Sequence, residues 1–177
     1  MSKAFTRESD DAPERPNPPR RAAALPPGVK NYLTPGGEKR LREELGRLMK
    51  NERPAPALAA DDPDARRQLA ALDQRIEHLQ QSLQTAVVVP PPPSHETRAR
   101  FGATVTVRHP QGEESSYRLV GMDETDLERN WISWLSPIAR TLLNTEAGQR
   151  VRFKFPSGEE ELEIVRIEYG EDSPRAE

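Results

Sequence analysis

The strongest constraint on how this chain can fold lies in the apolar spacing of residues 69–83. The apolar positions there are three, four, three and four residues apart, which is the seam of a coiled coil and narrower than the apolar face of a helix in a globular core. They are Leu69, Leu72, Ile76, Leu79 and Leu83. Because such a seam is buried only against another helix, the sequence predicts a helical pair with almost no core of its own.

The partner helix is predicted immediately upstream, over 38–53. Its apolar positions are Leu41, Leu45 and Leu48, four and three residues apart among charged residues. Ahead of it, Thr34 can cap the first turn and Pro35 can occupy that turn without losing a useful donor.

Prolines and aspartates mark the break between the two helices. Pro54 and Pro56 are expected to end the first helix, because each removes an amide donor and constrains the preceding residue. The second helix is expected to begin near Pro63 with Asp62 as its cap. The two helices are therefore predicted to pack antiparallel, with docking of the seam on another domain as the alternative.

A proline run at 90–93 predicts a stiff, extended linker. Beyond it the apolar period changes to two, which is typical of strands. Strands are predicted over 103–107, 117–120, 131–135, 151–155 and 162–169, and a short helix is predicted from Ser136-Pro137 to a stop at Gly148. The predicted fold class is α+β: an N-terminal antiparallel two-helix coiled coil followed by a small antiparallel β-domain with one short helix.

The ends of the chain are predicted to be disordered, because proline and mixed charge dominate the N-terminal stretch and little apolar surface could be buried there. The predicted organisation is a disordered tail over 1–30, a helical hairpin over 31–89, a proline-rich linker over 90–100, a β-domain over 101–170 and a disordered tail over 171–177.

Composition narrows the function. With 26 basic and 29 acidic residues the net charge is −3, which argues against general affinity for nucleic acid. The absence of cysteine excludes thiolate metal sites and cysteine nucleophiles. No membrane-length apolar run or secretory signal is present, so a cytoplasmic location is expected. Without a phosphate-binding loop, zinc motif or Ser-His-Asp arrangement, an accessory protein with no intrinsic metal or cofactor is expected rather than an enzyme.

Eight short strings, in order across both modules, resemble the GreA/GreB transcription elongation factors, and the GreB branch more closely. The strings are NYLTPGG (31–37), LREELGRL (41–48), ERP (52–54), FGATVTV (101–107), YRLVGMDE (117–124), WISWLSPIARTLL (131–143), AGQRV (147–151) and ELEIVRIEY (161–169). The resemblance implies a coiled-coil N-terminal domain and an FKBP-like C-terminal domain without isomerase activity.

The resemblance also implies a partner, bacterial RNA polymerase. Family members dock the C-terminal domain at the rim of the polymerase secondary channel and insert the coiled coil towards the active centre. Tip carboxylates there help to hold a second Mg²⁺ and its water, so that the polymerase cleaves the 3′ end of backtracked RNA. The factor is expected to act as a monomer.

The tip is where this chain departs from the family. The D-x-x-E-N pattern followed by tyrosines is absent, and the connecting segment 54–68 is short. Asp61, Asp62 and Asp64 remain as candidate ligands for an Mg²⁺ shared with the polymerase. A cap at Asp62 and a favourable helix dipole at Asp64 would explain the same residues without that role. Asp61 and Asp64 also resemble the D-x-x-D-x-A tip of DksA, although Arg66 stands in place of its alanine.

A candidate polymerase-docking stretch lies at the start of the short helix. The family carries Asp-Ser-Pro there, and this chain carries Leu135-Ser136-Pro137. Ser136, Pro137 and Ile138 are therefore docking candidates, although the same residues would also simply start a helix.

A candidate RNA-proximal basic face lies on the first helix. Residues 38–53 include six basic and four acidic side chains, and similar patches in the family face the RNA 3′ segment. Arg40, Arg47 and Lys50 are the candidates, and an ordinary solvated face would have the same composition.

The leading hypothesis is a Gre-type regulator that binds RNA polymerase, inserts its coiled coil into the secondary channel and modulates elongation, with transcript cleavage reduced or absent. The alternatives are a competent cleavage factor using the tip aspartates, a DksA-like modulator of initiation, and a coiled-coil adaptor for a partner other than polymerase.

Overall fold

The computed structural model describes residues 25–58, 61–156 and 158–170. Most of the tail predicted at 1–30, and all of the tail predicted at 171–177, lie outside the described residues. The elements in chain order are β1 (Asn31–Leu33), α1 (Pro35–Arg47), a π-helical turn (Leu48–Glu52), α2 (Pro54–Leu58), α3 (Pro63–Thr85), β2 (Ala86–Val88), β3 (Thr104–Arg108), β4 (Glu114–Val120), a 3₁₀ turn (Met122–Glu124), β5 (Trp131–Ser133), α4 (Pro137–Leu142), β6 (Arg150–Phe155) and β7 (Gly158–Glu168).

Helices α1 and α3 pack antiparallel, as predicted. Glu44 pairs with Arg75 at 2.8 Å, and Arg53, further along the chain, pairs with Asp73 at 2.6 Å. The shared core is small and consists of Leu33, Leu41, Leu48, Ile76 and Leu79, with Leu45, Leu72 and Leu83 packed against it. Four of the five predicted seam residues therefore contribute to this core, and Leu69 is not among them.

The end of the first helix differs from the prediction. Helix α1 passes into the π-helical turn, where the Arg53 N–H donates to the Leu48 carbonyl oxygen at 2.9 Å. Pro54 then begins α2 instead of ending the helical structure. The reason is that the first turn of a helix does not need the N–H that proline lacks.

A parallel pair of strands closes the base of the hairpin, and the sequence did not predict it. Strand β1 precedes α1 and pairs with β2, which follows α3, with Leu33 opposite Val88. The Val89 N–H extends the pairing by donating to the Leu33 carbonyl oxygen at 2.9 Å. At 3 residues each, these strands are too short for a period-two signal.

The β-domain contains a five-stranded sheet in the order β5-β4-β3-β7-β6. All of its pairs are antiparallel except β4 with β5, which is parallel, so the expectation of a purely antiparallel sheet was wrong. The parallel pairing is possible because the 3₁₀ turn and the loop after it carry the chain back along β4. The core comprises Ala99, Ala103, Val105, Val107, Leu119, Ala139, Leu142, Leu162 and Ile164.

Two local predictions for this domain need correction. Helix α4 is closed by Asn144 at φ 65°, whereas Gly148 lies in the turn before β6 and donates its N–H to the Ile164 carbonyl oxygen at 2.7 Å. Asparagine can adopt this left-handed conformation more readily than most residues. Thr106, which occupies a polar position in the period-two pattern of the strand predicted over 103–107, is nevertheless buried, and its hydroxyl bonds to the Ser116 hydroxyl at 2.9 Å.

Contacts of the β-domain begin before the predicted start at 101. Ala99 is fully buried in the core and its N–H donates to the Thr145 carbonyl oxygen at 2.8 Å. At the other end of the domain, the Tyr169 hydroxyl donates to the Arg98 carbonyl oxygen and accepts from the Arg100 N–H at 2.8 Å. Partial burial raises the pKa of Tyr169 above its ordinary value.

No helix in the described parts of the chain is both long enough and apolar enough to cross a membrane.

Candidate functional site

The acidic tip lies where the chain turns from α2 into α3. Asp62 is the N-cap of α3, and its Oδ1 accepts the N–H of Asp64 at 3.2 Å. The Asp64 carboxylate pairs in turn with Arg67 at 3.2 Å, although both side chains are more than four-fifths exposed. Asp61 is also exposed, and its carbonyl oxygen accepts from Arg66 at 3.3 Å. The predicted cap is therefore present.

The three tip carboxylates do not form a metal site by themselves. Across residues 25–58, 61–156 and 158–170, no group of three or more His, Cys, Asp or Glu side chains is arranged to hold a metal ion. Mg²⁺ requires several oxygen ligands in near-octahedral geometry. One oxygen of Asp62 is used in capping, and Asp64 pairs with a guanidinium group. This geometry does not fit a resident Mg²⁺.

The tip also carries an exposed apolar residue that sequence reasoning missed. Leu58, at the end of α2, is 90% exposed, while Pro56 in the same helix is buried. The signal was present in the alanine- and proline-rich segment PAPALAA, which was interpreted only as a helix stop. The end of the hairpin therefore presents an apolar side chain next to aspartates.

The three candidates for an RNA-proximal basic face differ in exposure and in contacts, and their role stays a prediction. Lys50 is exposed, and Arg47 forms an ion pair with Glu52. Arg40 lies about 10 Å further from the tip along α1 than Arg47. Its guanidinium lies 4.4 Å from the centre of the Trp131 ring. The position of Arg40 is therefore at the junction with the β-domain.

Near the tip, the arginine at the end of the π-helical turn contacts the opposite helix. Arg53 pairs with Asp73, and the hydrogen bond and charge of that carboxylate raise the pKa of Arg53 above its ordinary value. This contact lets the π-helical turn stay close to α3.

The docking candidates lie at the start of α4. The Ser136 hydroxyl caps the helix by accepting the Ala139 N–H at 3.3 Å. Pro137 is exposed at the first helical position, whereas Ile138 is partly buried and packs against the domain core. Of the three, Pro137 offers the most surface to a partner, and a docking role for the stretch stays a prediction.

Glu124 is a buried carboxylate at the junction between the hairpin and the β-domain. Its side chain is 1% exposed. One oxygen accepts the N–H groups of Thr34 at 2.9 Å and Gly121 at 3.0 Å. The other accepts the Thr34 hydroxyl and lies 3.4 Å from a guanidinium nitrogen of Arg40. The charge is thus fully hydrogen-bonded and paired.

The neighbouring Asp123 contacts the other helix of the hairpin. Its carboxylate pairs with His78 of α3 at 2.9 Å and accepts the hydroxyl of Ser82. Ser82 in turn accepts from the side chain of Asn31 at 3.1 Å. His78 is therefore part of the junction. A single histidine without a nearby motif gave no signal of this contact.

Comparison with known proteins matches both modules. The family model described as "Transcription elongation factor, GreA/GreB, C-term" matches residues 94–169. The transcription elongation factor GreB of Neisseria meningitidis serogroup B is 38% identical over 155 residues, covering 80% of this chain and 95% of that protein. The transcription elongation factor GreA of Alkalilimnicola ehrlichii is 38% identical over 152 residues, covering 77% and 96%.

Among solved structures, Gfh1 of Thermus aquaticus is 26% identical and covers 80% of this chain and 99% of its own, with a TM-score of 0.39. At that TM-score the structural likeness carries no weight.

The two-module chain therefore falls in the class of transcription elongation factors, since relatives matched over nearly their full length are so named. The chain belongs to the GreA/GreB family, and the resemblance identified from its motifs is confirmed.

Proposed function

We propose that this chain is a Gre-type regulator that binds bacterial RNA polymerase and modulates elongation with reduced or absent stimulation of transcript cleavage. In this proposal α1 and α3 form a coiled coil that enters the secondary channel, and an FKBP-like domain docks at the channel rim through the stretch around Pro137. The polymerase carries out any chemistry, and this chain acts as a monomeric accessory factor.

The observation that carries the proposal is the state of the tip carboxylates. Asp62 caps α3, Asp64 pairs with Arg67, and the three aspartates do not converge on one point. A tip that helps to place a catalytic Mg²⁺ needs carboxylate oxygens that converge on the metal, and the D-x-x-E-N pattern that the resemblance assigns to this role is absent from residues 54–68. No step of the proposed function is therefore routed through Mg²⁺.

Membership of the GreA/GreB family supports the choice of partner and process. The low net charge supports a protein partner over free nucleic acid, since only short basic segments such as the one around Lys50 could contact RNA. Exposed Leu58 adds apolar surface at the end that would enter the channel.

One observation favours a competent cleavage factor as the second candidate. Within the described residues the Asp61 carboxylate makes no hydrogen bond or ion pair, and the side chain is exposed. It could bind a metal jointly with polymerase carboxylates if Asp64 also left Arg67, which is a weak exposed contact.

Two measurements test these functions. First, core RNA polymerase should be retained by the tagged protein at micromolar concentration; absence of binding would leave only an adaptor for another partner. Second, the protein is added with Mg²⁺ to a backtracked elongation complex, and release of short RNA 3′ fragments is followed. We expect little acceleration over polymerase alone.

The variant with Asp61→Asn and Asp64→Asn separates the two polymerase functions. Its matched control is Glu77→Gln, which neutralises an exposed carboxylate on α3 away from the tip. Fast fragment release that is lost in the double variant and kept in the control would establish the cleavage factor and overturn our proposal.

A further inference from the structure

The segment 121–124 of the β-domain contacts both helices of the hairpin through two adjacent acidic residues. Glu124 binds the start of α1, and Asp123 binds α3 near its end. We propose that Asp123 and Glu124 are positioning residues: together they fix the direction of the hairpin relative to the β-domain and so determine where the tip lies. We call this pair the acidic clasp.

The contacts of Glu124 tie the helix start to the β-domain in one orientation. The Thr34 hydroxyl accepts the Gly37 N–H, as an N-cap should, and donates its own hydrogen to Glu124. The same carboxylate accepts the Thr34 N–H. Because both polar groups of the cap residue face one carboxylate, α1 cannot rotate about its start without breaking them.

Two glycines allow this close approach. A Cβ atom on Gly37 would lie 1.8 Å from a Glu124 oxygen, and one on Gly121 would lie 2.1 Å from the Tyr32 carbonyl oxygen. Neither glycine has a positive φ, so backbone conformation does not explain why glycine occupies these two positions. What the two positions share is lack of space between the hairpin and the β-domain. The fit of the junction therefore depends on residues in both modules.

The contacts of Asp123 restrain the second helix independently. His78 and Ser82 are four residues apart on α3 and so lie on one helix face, where both bond to the same carboxylate. With one carboxylate alone, only one of the two helices would be hydrogen-bonded to the segment 121–124. Two carboxylates on adjacent residues, each bound to a different helix, restrain both the tilt and the rotation.

The distance to the tip amplifies small changes at the clasp. From Ser82 to Pro63, α3 extends about 28 Å at about 1.5 Å per residue. A change of about 10° in hairpin direction would move the tip by about 5 Å over that length. The importance of this placement rests on the proposed function, because only a tip that enters another protein needs it. The orientation itself can be measured without any partner.

The test measures hairpin direction in the isolated full-length protein. The chain has no cysteine, so Gln68→Cys on α3 and Gln111→Cys in the β-domain turn supply the only two spin-label sites. Pulsed electron–electron double resonance then gives the distribution of distances between the two spin labels. We expect one narrow distribution in the parent chain and a broad, shifted one when Asp123→Ala and Glu124→Ala are combined.

The controls distinguish positioning from general loss of structure. Glu113→Gln removes an exposed carboxylate of the same domain and should leave the distribution unchanged. Glu124→Gln retains an oxygen acceptor for Thr34 and should restore much of the narrow distribution that Glu124→Ala loses. A distribution that stays narrow and unshifted in the combined alanine variant, with helical circular dichroism retained, would overturn the proposal.

If the combined variant loses its helical signal, Gly37→Ala provides the decisive measurement. The added Cβ pushes the Glu124 carboxylate away while retaining both acids and favouring the helix. By itself, Gly37→Ala should broaden the distance distribution. Added to Glu124→Ala it should cause no further broadening, because the Glu124 carboxylate that the new Cβ would meet is no longer there. Equal narrow distributions in the parent and Gly37→Ala chains would contradict the clasp. Failure to bind polymerase would contradict the proposed function and leave these distances unaffected.

Discussion

The β-domain and the hairpin bury their apolar residues in very different ways. In the β-domain, residues from three strands, one helix and the segment before β3 form a core in which every clustered residue is fully buried. In the hairpin, only Leu33 and Leu79 are fully buried, and both lie near the base. The comparison indicates that the β-domain is stabilised by its own core, whereas the packing that stabilises the hairpin is tightest at its base and decreases towards the tip.

The largest effect is expected in the β-domain core. Leu162→Ala in β7 removes a fully buried side chain from a well-packed sheet, and should lower the free energy of unfolding by about 2–5 kcal/mol through lost burial and a residual cavity. Urea unfolding followed by tryptophan fluorescence measures it. Leu127→Ala is the control, since Leu127 is 80% exposed, and should change stability by less than about 0.5 kcal/mol.

A similar small change from both variants would mean that the β-domain core is not what holds the molecule together, and the comparison of the two regions would fail.

A smaller and more local effect is expected in the hairpin. Leu79→Ala also removes a fully buried side chain, but two helices without surrounding layers can close around part of the space. We expect a loss of about 2 kcal/mol, the lower end for such substitutions. Amide hydrogen exchange should become faster in α1 and α3 while the strands keep their protection.

Gln80→Ala, at the next and exposed position of α3, serves as the control and should leave exchange unchanged. Equal acceleration in hairpin and strands would show that the two regions unfold as one unit.

The two regions were also unequally predictable from sequence. The helices and the caps at Thr34 and Asp62 are local signals, because spacing and side-chain type decide them, and the structure has both helices with these caps. The parallel pairing of β4 with β5 was missed, because strand direction depends on the path of the irregular segment 121–130 that connects them. Local sequence patterns carry no such information.

The candidate site follows the same division. The acidity of the tip and the capping role of Asp62 could be predicted from residue type next to Pro63. The clasp could not, since Asp123 and His78 meet only after both modules have folded and packed. Arg40 was predicted to face RNA because of its charge, but the packing of the two modules places its guanidinium over the Trp131 ring.

The smallest effect is expected from the ion pair that joins the two helices midway along the hairpin. Glu44 and Arg75 form two hydrogen bonds at 2.8 and 2.9 Å, but their side chains remain 28% and 42% exposed. Exposed pairs contribute about 0.2–1 kcal/mol, since solvent screens the charges and ordering long side chains costs entropy.

A double-mutant cycle with Glu44→Gln and Arg75→Gln should therefore give a coupling within that range, and the coupling should fall as salt is raised. The Asp64–Arg67 pair at the tip, with both side chains more than four-fifths exposed, provides the comparison and should show almost no coupling. A coupling at Glu44–Arg75 that exceeds the loss from Leu79→Ala would mean that charge, and not the buried base, holds the hairpin closed. In that case the hairpin would be held most strongly halfway along its helices, and the conclusion that its stability decreases from base to tip would be wrong.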